Sequence, residues 1–409
     1  MEEFRTHTLE EISKGKGSYG IAASAVPFDS SLYTYLRITD INDDGSLNKS
    51  GLTSVDEDNA SNYLLKPNDI VFARTGNSTG RAYFYDGSDG ELVYAGFLIK
   101  FSLDESKVNP RILKYYTHSK PYYDWVRSFD TGGTRGNINA KTYGNMPITL
   151  PSRPTQDRIV EILKSLDDKI EVNRRINDNL EQQAQALFKS WFVDFEPFKD
   201  GGFEESELGM IPKGWKVKEA QEVFEINIGK TPPRKEPEWF TESNDDNVWV
   251  SIADMGSCGV FISDSSEYLT DEAIKRFNIQ MVKKDSVLLS FKLTVGRVAI
   301  ADTRLTTNEA IARFILPEIF YREYLYLYLK QYNYGNLGST SSIATAVNSK
   351  TIKGMMILSP PADVIKTFSI NTKPLFEKIR ILQQESRRLT TLRDTLLPRL
   401  MSGELKVND

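Results

Sequence analysis

The sequence has very few of the side chains on which disulfides, zinc sites and most proton-transfer catalysis depend. Its 409 residues include one cysteine, Cys258, and two histidines, His7 and His118. A single cysteine excludes an intrachain disulfide, and a structural zinc site normally needs about four cysteine or histidine ligands. Two histidines leave little room for histidine-based acid-base catalysis. We therefore expect no metal site and no catalytic site built on these residues.

Long apolar runs and complete catalytic motifs are also missing. No run approaches the roughly 20 apolar residues that a membrane helix needs, and the N-terminus lacks the basic and apolar parts of a signal peptide. Gly229-Lys230-Thr231 is similar to the end of a phosphate-binding loop, but Phe224 stands where that loop requires glycine. No Gly-x-Ser-x-Gly sequence is present. These absences predict a cytoplasmic protein with no membrane span, no catalytic residue and no cofactor of its own.

The composition is otherwise that of an ordinary globular protein, with 40% hydrophobic and 26% charged residues. Its length favours two or three domains. The formal net charge of -5 argues against indiscriminate nucleic-acid binding, which usually accompanies a basic excess. Local basic grooves remain compatible with that charge.

An internal duplication organises the chain. Lys141 and Lys350 are 209 residues apart, and so are Lys169 and Lys378. Short matches at other offsets extend the alignment: LRITDI at 36–41 with VSIADM at 250–255, and Gly80-Arg81 with Gly296-Arg297. NAKT at 139–142 and NSKT at 348–351 return to the 209-residue offset. The changing offsets imply loops of different length within a shared frame, and such loops commonly carry specificity.

Each copy is predicted to be a mixed α/β (α+β) domain, because short alternating strands and turn residues surround one helix. The expected strands are 33–39, 69–74, 81–85, 92–101 and 145–150 in the first copy, and 248–252, 286–290, 296–300 and 355–358 in the second. The expected helices are 112–126, with a break or kink at Pro121, and 322–331. Residues 131–139 are predicted to form an exposed loop.

A long helix with heptad spacing follows each copy. The first is expected from Pro154 to Phe198, ended by Pro197 and Gly201-Gly202, and the second carries the same spacing to the C-terminus. Antiparallel pairing of about 40 residues, at about 1.5 Å each, would form a rod of roughly 60 Å. The predicted seam and partner-contact residues are Ile170, Asn173, Asn177, Leu180, Leu187, Trp191, Phe192, Ile379, Leu382, Leu389 and Leu396.

Two asparagines in this seam, Asn173 and Asn177, are expected to fix its register, since a buried polar residue costs stability but selects one alignment. The alternative is that the two helices only pack against their own domains.

Polar and basic loops in both copies supply side chains suited to DNA bases and phosphates. In the first copy the candidate DNA-binding residues are Lys16, Ser18, Tyr19, Arg74, Thr75, Asn77, Ser78, Arg81, Thr134, Arg135, Asn137 and Lys141. In the second copy they are Lys230, Thr231, Arg234, Lys235, Lys292, Thr294, Arg297, Ser341, Ser342, Thr345 and Lys350. Composition alone fits ordinary solvated loops at least as well.

Three phrases resemble the DNA-specificity subunits of type I restriction-modification systems. They are LFKSWFVDFEP at 187–197, GMIPKGW at 209–215 and LLPRLMSGEL at 396–405, and the resemblance covers essentially the whole chain. The N-terminus, with Glu3-Phe4-Arg5, has no counterpart of the second phrase, and the Pro154-Thr-Gln156 entry to the first helix weakens to Pro361-Ala-Asp363 in the second copy.

The resemblance implies two target-recognition domains, each reading one half of a split asymmetric site in double-stranded DNA. It implies assembly with two adenine-methylating modification subunits, which use S-adenosylmethionine, and with restriction subunits, which use ATP and Mg²⁺. The implied division is domain 1 at 1–152, a spacer helix at 153–200, a linker at 201–214, domain 2 at 215–360 and a second spacer helix at 361–409. The helix pair would serve as both spacer and assembly surface.

Two other classes remain open. A coiled-coil adaptor in an anti-phage or DNA-processing assembly would share the helices without reading sequence. A self-contained nuclease or methyltransferase is disfavoured, because no complete catalytic motif, including Asn-Pro-Pro-Tyr/Phe, is present.

Overall fold

The computed structural model describes residues 4–129, 136–337 and 347–407. The chain forms two compact units. Unit 1 comprises residues 1–169 and 388–409, and unit 2 comprises residues 170–387. Each unit contains one copy of the duplicated segment and part of both long helices, α4 (Arg153–Phe192) and α10 (Ala362–Met401).

Unit 1 is built on two four-stranded sheets and a separate strand pair. Its strands are β1 (Arg5–Thr8), β2 (Ser18–Tyr19), β3 (Val26–Pro27), β4 (Tyr33–Leu36), β5 (Thr53–Val55), β6 (Asp69–Ala73), β7 (Ala82–Tyr85), β8 (Leu92–Tyr94), β9 (Leu98–Ser102) and β10 (Pro147–Leu150). The sheet orders are β2-β9-β6-β7 and β3-β5-β4-β8, and β1 pairs with β10. The short helices are α1 (Ile112–Tyr116), α2 (Lys120–Arg127) and α3 (Ala140–Gly144).

Unit 2 repeats this plan with additional elements. Its strands are β11 (Phe203–Ser206), β12 (Gly209–Pro212), β13 (Lys216–Glu219), β14 (Glu225–Ile228), β15 (Phe240–Thr241), β16 (Asn247–Val250), β17 (Phe261–Ile262), β18 (Tyr268–Leu269), β19 (Val287–Ser290), β20 (Val298–Ala301), β21 (Thr306–Thr307), β22 (Ile311–Ile315) and β23 (Met356–Ser359). Its short helices are α5 (Ala220–Val223), α6 (Ile252–Ser257), α7 (Asp271–Arg276), α8 (Arg322–Gln331) and α9 (Ser349–Lys353).

The strand orders of the two units match, except that β17 extends the first sheet of unit 2 by one strand. Unit 2 contains the sheets β14-β22-β19-β20-β17 and β15-β18-β16-β21, with β13 paired to β23. The β4–β8 pair and its counterpart β16–β21 are both parallel. Helices α3 and α9 begin 209 residues apart, each capped by an asparagine, Asn139 or Asn348, whose side chain accepts backbone N–H groups. The predicted duplication and mixed α/β fold are therefore confirmed.

The central strands β6 and β19 are buried on both faces, and their alternation divides two cores. In unit 1, Ile70 and Phe72 lie in one apolar cluster, whereas Val71 and Ala73 lie in the other. A period of two residues sends successive side chains to opposite sides of a sheet. A continuous apolar run therefore forms a strand covered on both faces.

The long helices pair antiparallel within each unit. In unit 2, Asn173 Nδ2 donates to Ser386 Oγ at 3.3 Å, while the rings of Phe192 and Phe368 lie 4.9 Å apart. In unit 1, Ile159 near the start of α4 shares an apolar cluster with Leu400 near the end of α10. The helices also pack against the domains of their units. The alternative that they only pack against their own domains is therefore wrong, because they do both.

Helix α4 ends earlier than its sequence suggests. It stops at Phe192, and Phe195 then adopts a left-handed conformation with φ of 54°. The expected end near Phe198 was therefore wrong, because the chain turns before Pro197. This turn lets Phe195 and Phe198 pack against Trp215. Residues 203–212 of the predicted linker form the antiparallel β11–β12 hairpin.

Two further expectations needed correction. The single strand at 92–101 is two strands, because Leu98 N–H bonds to Ala95 O across a turn at 2.8 Å. The strand at 248–252 ends at Val250, where Ser251 caps helix α6. The predicted break in the helix at 112–126 is present between α1 and α2, just before Pro121, which lies in the first turn of α2, where its missing N–H is not needed.

Candidate nucleic-acid interface

Three predicted loops of unit 1 meet at the end of strand β6. We call residues 16–20, 74–80 and 136–141 the unit 1 loop face. The Tyr19 hydroxyl accepts the Ala140 N–H at 3.2 Å, and the Arg74 guanidinium lies 5.2 Å from the Tyr19 ring centroid. The Arg74 carbonyl accepts the Ile138 N–H at 3.0 Å. Residues far apart in sequence therefore form one polar surface.

Arg74 is the best placed cation of this face. Its Nε is buried and has no hydrogen-bond partner among the described residues. A buried donor without a partner carries a desolvation cost. Contact of the Arg74 guanidinium with a phosphate or a base edge stays a prediction.

The remaining unit 1 candidates differ in exposure. Lys16, Ser18, Asn77, Asn137 and Lys141 are exposed, whereas Thr75 is half-buried and Ser78 is buried. The expected exposed loop at 131–139 was wrong in part, because the Ile138 side chain is fully buried in the unit 1 core. Thr134 and Arg135 lie outside the described residues.

Arg81 and Arg297 occupy equivalent positions and are both tied to their own domains. Arg81 Nη1 donates to Ile41 O at 3.2 Å, and its Nη2 pairs with Asp43 at 2.7 Å. Arg297 Nη1 donates to Ile252 O at 2.6 Å. Each guanidinium therefore holds the segment that follows a strand of its own unit, β4 in unit 1 and β16 in unit 2. Their assignment as DNA contacts stays a prediction.

The corresponding loops of unit 2 converge on Glu309. We call residues 229–235 and 291–297 the unit 2 loop face. The Thr231 hydroxyl donates to the Glu309 carboxylate. Burial alone raises the pKa of Glu309, but Thr231, Lys292 and Arg234 outweigh it and leave that pKa lowered. An ionised carboxylate therefore lies among the predicted DNA-binding cations, a feature that the sequence pattern did not reveal.

Arg234 is engaged within unit 2. It forms two hydrogen bonds to Glu267, both 2.8 Å long, which raise its pKa. Its guanidinium also lies 4.3 Å from the Phe240 ring centroid and 4.6 Å from that of Trp249. The Arg234 side chain is therefore held by two aromatic rings as well as by an ion pair.

The other unit 2 candidates lie mainly at the surface. Lys230, Lys235, Lys292, Thr294 and Lys350 are exposed, and the Lys230 ammonium donates to Phe277 O at 2.5 Å. Thr231 is half-buried. Ser341, Ser342 and Thr345 lie outside the described residues.

A close backbone approach holds both loop faces in place. Gly20 and Gly229 each follow an edge strand. The N–H group of the residue after Gly20 donates to Tyr94 O at 3.0 Å, and that of the residue after Gly229 donates to Thr307 O at 2.9 Å. A Cβ on Gly20 would lie 2.1 Å from Tyr94 O, and one on Gly229 would lie 1.9 Å from Asn308 O. Only glycine permits the backbone to approach this closely.

Ion pairs join each domain to the long helices within its unit. In unit 1, Asp167 of α4 pairs with Lys114 at 2.7 Å and with Arg393 of α10 at 3.0 Å. Burial opposes ionisation of Asp167, but these two cations outweigh it and lower its pKa. In unit 2, Arg322 of α8 pairs with Glu377 of α10 at 2.8 Å. The domain and helices of each unit are thus fastened together by charge as well as by apolar packing.

The predicted seam residues of α4 and α10 take part in this packing to different extents. Those that are buried are Asn173, Phe192, Ile379 and Leu382. Those that are half-buried are Ile170, Asn177, Leu180, Leu187, Trp191, Leu389 and Leu396. Phe188, which the heptad pattern missed, is 2% exposed and contacts Phe368.

The described part of the chain contains neither a metal-binding cluster nor a membrane-spanning helix. Within residues 4–129, 136–337 and 347–407, no group of three or more His, Cys, Asp or Glu side chains could hold a metal ion. Over the same ranges, no helix is long and apolar enough to span a membrane.

Comparison with known proteins decides the family. The model of the type I restriction modification DNA specificity domain matches residues 1–182 and again residues 212–390. The chain belongs to the type I restriction-modification DNA specificity family. The two matches correspond to the two copies seen in the fold, and the resemblance inferred from the three sequence phrases is confirmed.

Two specificity subunits are similar in sequence to this chain over most of its length. The HindI specificity subunit of Haemophilus influenzae is 28% identical over 405 residues, covering 83% of this chain and 87% of the relative. The MjaIX specificity subunit of Methanocaldococcus jannaschii is 30% identical over 307 residues, covering 73% and 69% respectively. A solved type I system S subunit from M. genitalium has a TM-score of 0.54 at 14% identity, covering 100% of this chain and 97% of that one, which supports the fold.

Two of the specificity-subunit phrases prove to be structural. Phe192, Phe195 and Phe198 surround Trp215, with ring centroids at 5.9, 5.7 and 4.8 Å. The phrase at 187–197 therefore packs against the phrase at 209–215. Aromatic clusters of this kind contribute large buried areas and directional ring contacts. They hold the end of α4 to the start of the second domain.

Proposed function

We propose that this chain is the non-catalytic DNA-recognition subunit of a type I restriction-modification complex. Each domain reads one half of a bipartite asymmetric site through its loop face. The observation that carries this proposal is the repeated strand order in a chain of this family, with loop faces that differ in composition. Two similar frames with different loops are suited to two different half-sites.

The proposed division follows the duplication. Residues 1–152 and 215–360 act as target-recognition domains, residues 153–200 and 361–409 act as spacer helices, and residues 201–214 link the first helix to the second domain. The paired helices set the number of unread base pairs between the half-sites and offer a surface to other subunits. The seam residues fix the alignment of these helices.

The partners are double-stranded DNA, two modification subunits and restriction subunits, assembled in the cytoplasm. Adenine methylation with S-adenosylmethionine belongs to the modification subunits, while ATP and Mg²⁺ serve the restriction subunits. This chain supplies recognition alone. Lysines and arginines on both loop faces should contact phosphates, which makes binding of the assembled complex fall steeply as salt concentration rises.

Methylome sequencing tests the proposal directly. A host lacking other adenine methyltransferases would express this chain with its modification subunits, and methylated adenines would be mapped across the genome. The expected result is one split motif with a constant spacer, which disappears when this chain is omitted. Methylation without a bipartite motif would contradict sequence recognition and favour the adaptor alternative.

A second measurement separates the catalytic alternative. The isolated chain would be incubated with DNA, Mg²⁺ and S-adenosylmethionine, and both cleavage and methyl transfer would be followed. We expect neither activity. Either activity without partner subunits would overturn the assignment of catalysis to those partners.

A further inference from the structure

Leu293, at the tip of the loop between β19 and β20, is the most exposed large apolar side chain of the described residues. It is 99% exposed, and the next such residue, Ile370, is 66% exposed. We propose that Leu293 is an apolar wedge that inserts between base pairs of the DNA bound by unit 2. This inference rests on the proposed DNA-recognition function and assigns a distinct role to one residue of the unit 2 loop face.

The backbone at Leu293 is strained as well as exposed. Its φ is 59°, in the left-handed region that disfavours residues with a Cβ. Asn68, Asn278 and Asp285 share a positive φ, but asparagine and aspartate tolerate it. Phe195, with φ of 54°, is compensated by packing 5.7 Å from the Trp215 ring. Leu293, at 99% exposure, gains almost nothing from contacts within the chain.

The matching loop of unit 1 shows that the turn does not require leucine. There the residue with positive φ at the loop tip is Gly76, whose φ is 76°. Glycine adopts this conformation without the Cβ penalty. Leucine at the equivalent tip therefore adds strain and an exposed apolar surface, and both costs point to a role for the side chain outside its own domain.

The base of the loop holds this tip firmly. The fully buried Ser290 donates through Oγ to Thr294 O at 2.6 Å and accepts the Arg297 N–H at 3.0 Å. Ser290 O accepts the Gly296 N–H at 3.0 Å. These bonds close the loop on both sides, so insertion of Leu293 would require little further ordering.

The neighbours of Leu293 suit a nucleic acid. Leucine is among the side chains that proteins insert between base steps, partly unstacking them. Lys292 and Thr294 flank it and are exposed, so they can reach the phosphates on either side.

Fluorescence of 2-aminopurine gives the direct test. The assembled complex with modification subunits would bind a duplex carrying the methylome-defined motif, with 2-aminopurine replacing one purine at a time in the half-site read by unit 2. We expect increased fluorescence at one base step and its loss in Leu293→Ala and Leu293→Gly. Since the side chain becomes buried on insertion, each variant should bind about tenfold to a hundredfold more weakly.

Ile319→Ala is the matched control, because Ile319 is another apolar side chain of unit 2 and is 50% exposed. It should leave both affinity and fluorescence unchanged. Extrusion of the target base by the modification subunits also raises fluorescence, but that signal should persist in Leu293→Ala. Leu293→Gly removes the strain at this turn, so weaker binding by this variant cannot be attributed to misfolding of the loop.

The remaining outcomes separate this inference from the proposed function. Absence of any split motif for the unaltered complex would remove the proposed function itself. Specific binding that is unchanged in Leu293→Ala would overturn the wedge alone. Weaker binding without a Leu293-dependent fluorescence change would indicate a surface contact and also overturn insertion. Loss of subunit assembly in Leu293→Ala would assign the side chain to a protein interface instead.

Discussion

Arg74 and Arg81 lie on the same short segment of unit 1, yet their guanidinium groups meet different surroundings. Arg74 leaves a buried Nε without a partner in the described residues, whereas Arg81 is held by Ile41 O and by Asp43. The two arginines of this segment therefore differ in how fully their guanidinium groups are hydrogen-bonded within the chain. Substitution of Arg81 should disturb the loop face, whereas substitution of Arg74 should act on what that face binds.

Two basic residues test base reading directly. Lys292→Ala and Arg135→Ala should each reduce binding to the cognate site by about 1 to 3 kcal/mol if their side chains contact base edges. The assembled complex would be titrated with cognate and scrambled duplexes at fixed salt. Unchanged cognate affinity would remove either residue from the set of base contacts.

Lys283→Ala is the matched control for Lys292→Ala. Lys283 is also an exposed lysine, but it precedes strand β19 whereas Lys292 follows it. A similar loss from both variants would indicate a general charge effect without base reading.

His118 should make the stability of unit 1 depend on pH. Its pKa is lowered by burial, with Arg393 and Lys114 acting in the same direction and Asp44 and Asp394 opposing them. The unfolded chain therefore binds the proton more readily, so stability is fully present above the ordinary pKa of 6.5 and declines as the pH falls below it. Urea unfolding midpoints at pH 8 and pH 5 should differ less in His118→Gln than in the unaltered chain.

The unaltered chain provides the comparison for His118→Gln. Equal pH dependence in His118→Gln would show that other groups cause it. The carboxyl of Asp167, with its lowered pKa, contributes in a different window, because its stabilisation is lost only as the pH falls below about 3.8.

At the scale of single elements, the helix pair contains a buried polar contact in a mainly apolar seam. Asn173 is fully buried and donates to Glu385 at 2.8 Å and to Ser386 at 3.3 Å. Its Oδ1 and that of Asn177 have no hydrogen-bond partner in the described residues. Such incomplete satisfaction costs stability, which is the expected signature of a residue that selects register.

Truncation of Asn173 should therefore be costly. Asn173→Ala should lower the free energy of unfolding by about 1 to 3 kcal/mol, because it removes the hydrogen bonds and leaves space in the seam. Asn173→Leu should be more stable than Asn173→Ala, since leucine fills that space. Urea unfolding followed by circular dichroism measures both. Asn179→Ala, on the exposed side of the same helix, is the control, and an equal loss there would deny Asn173 a special role.

The boundaries of helices and strands show which of them local sequence signals could predict. Helix α8 begins and ends where its sequence pattern indicated, and the heptad spacing identified the two paired helices. The end of α4 was misplaced, because Phe195 turns left-handed to meet Trp215, twenty residues further along the chain. Strand β6 was recognisable from its apolar run, whereas the division between β8 and β9 depended on a turn with no strong sequence signal.

At the scale of the whole molecule, the lengths of the helices and the identities of the loops should act independently. Inserting seven residues after Lys169 and seven after Arg387 preserves the heptad phase and adds about 10 Å to each helix. We expect the methylated motif to keep both half-sites while its spacer lengthens by about three base pairs. Methylome sequencing would identify the new motif.

The control for this insertion replaces one heptad of each helix by a different heptad of the same length. Its spacer should stay as in the unaltered protein. New half-sites with the old spacer would contradict the proposed ruler, and loss of assembly in both variants would show that the inserted region contacts other subunits.

The sequence by itself determined the duplication, the two paired helices and the family, because these depend on periodicity and register that persist over many residues. The tertiary structure alone decided which loop residues are available to a partner. Arg81 and Arg297 became tethers because long-range strand pairing brings backbone carbonyls within their reach. Leu293 became exposed for the complementary reason: its loop is closed at the base by Ser290, and nothing in the described chain covers the tip.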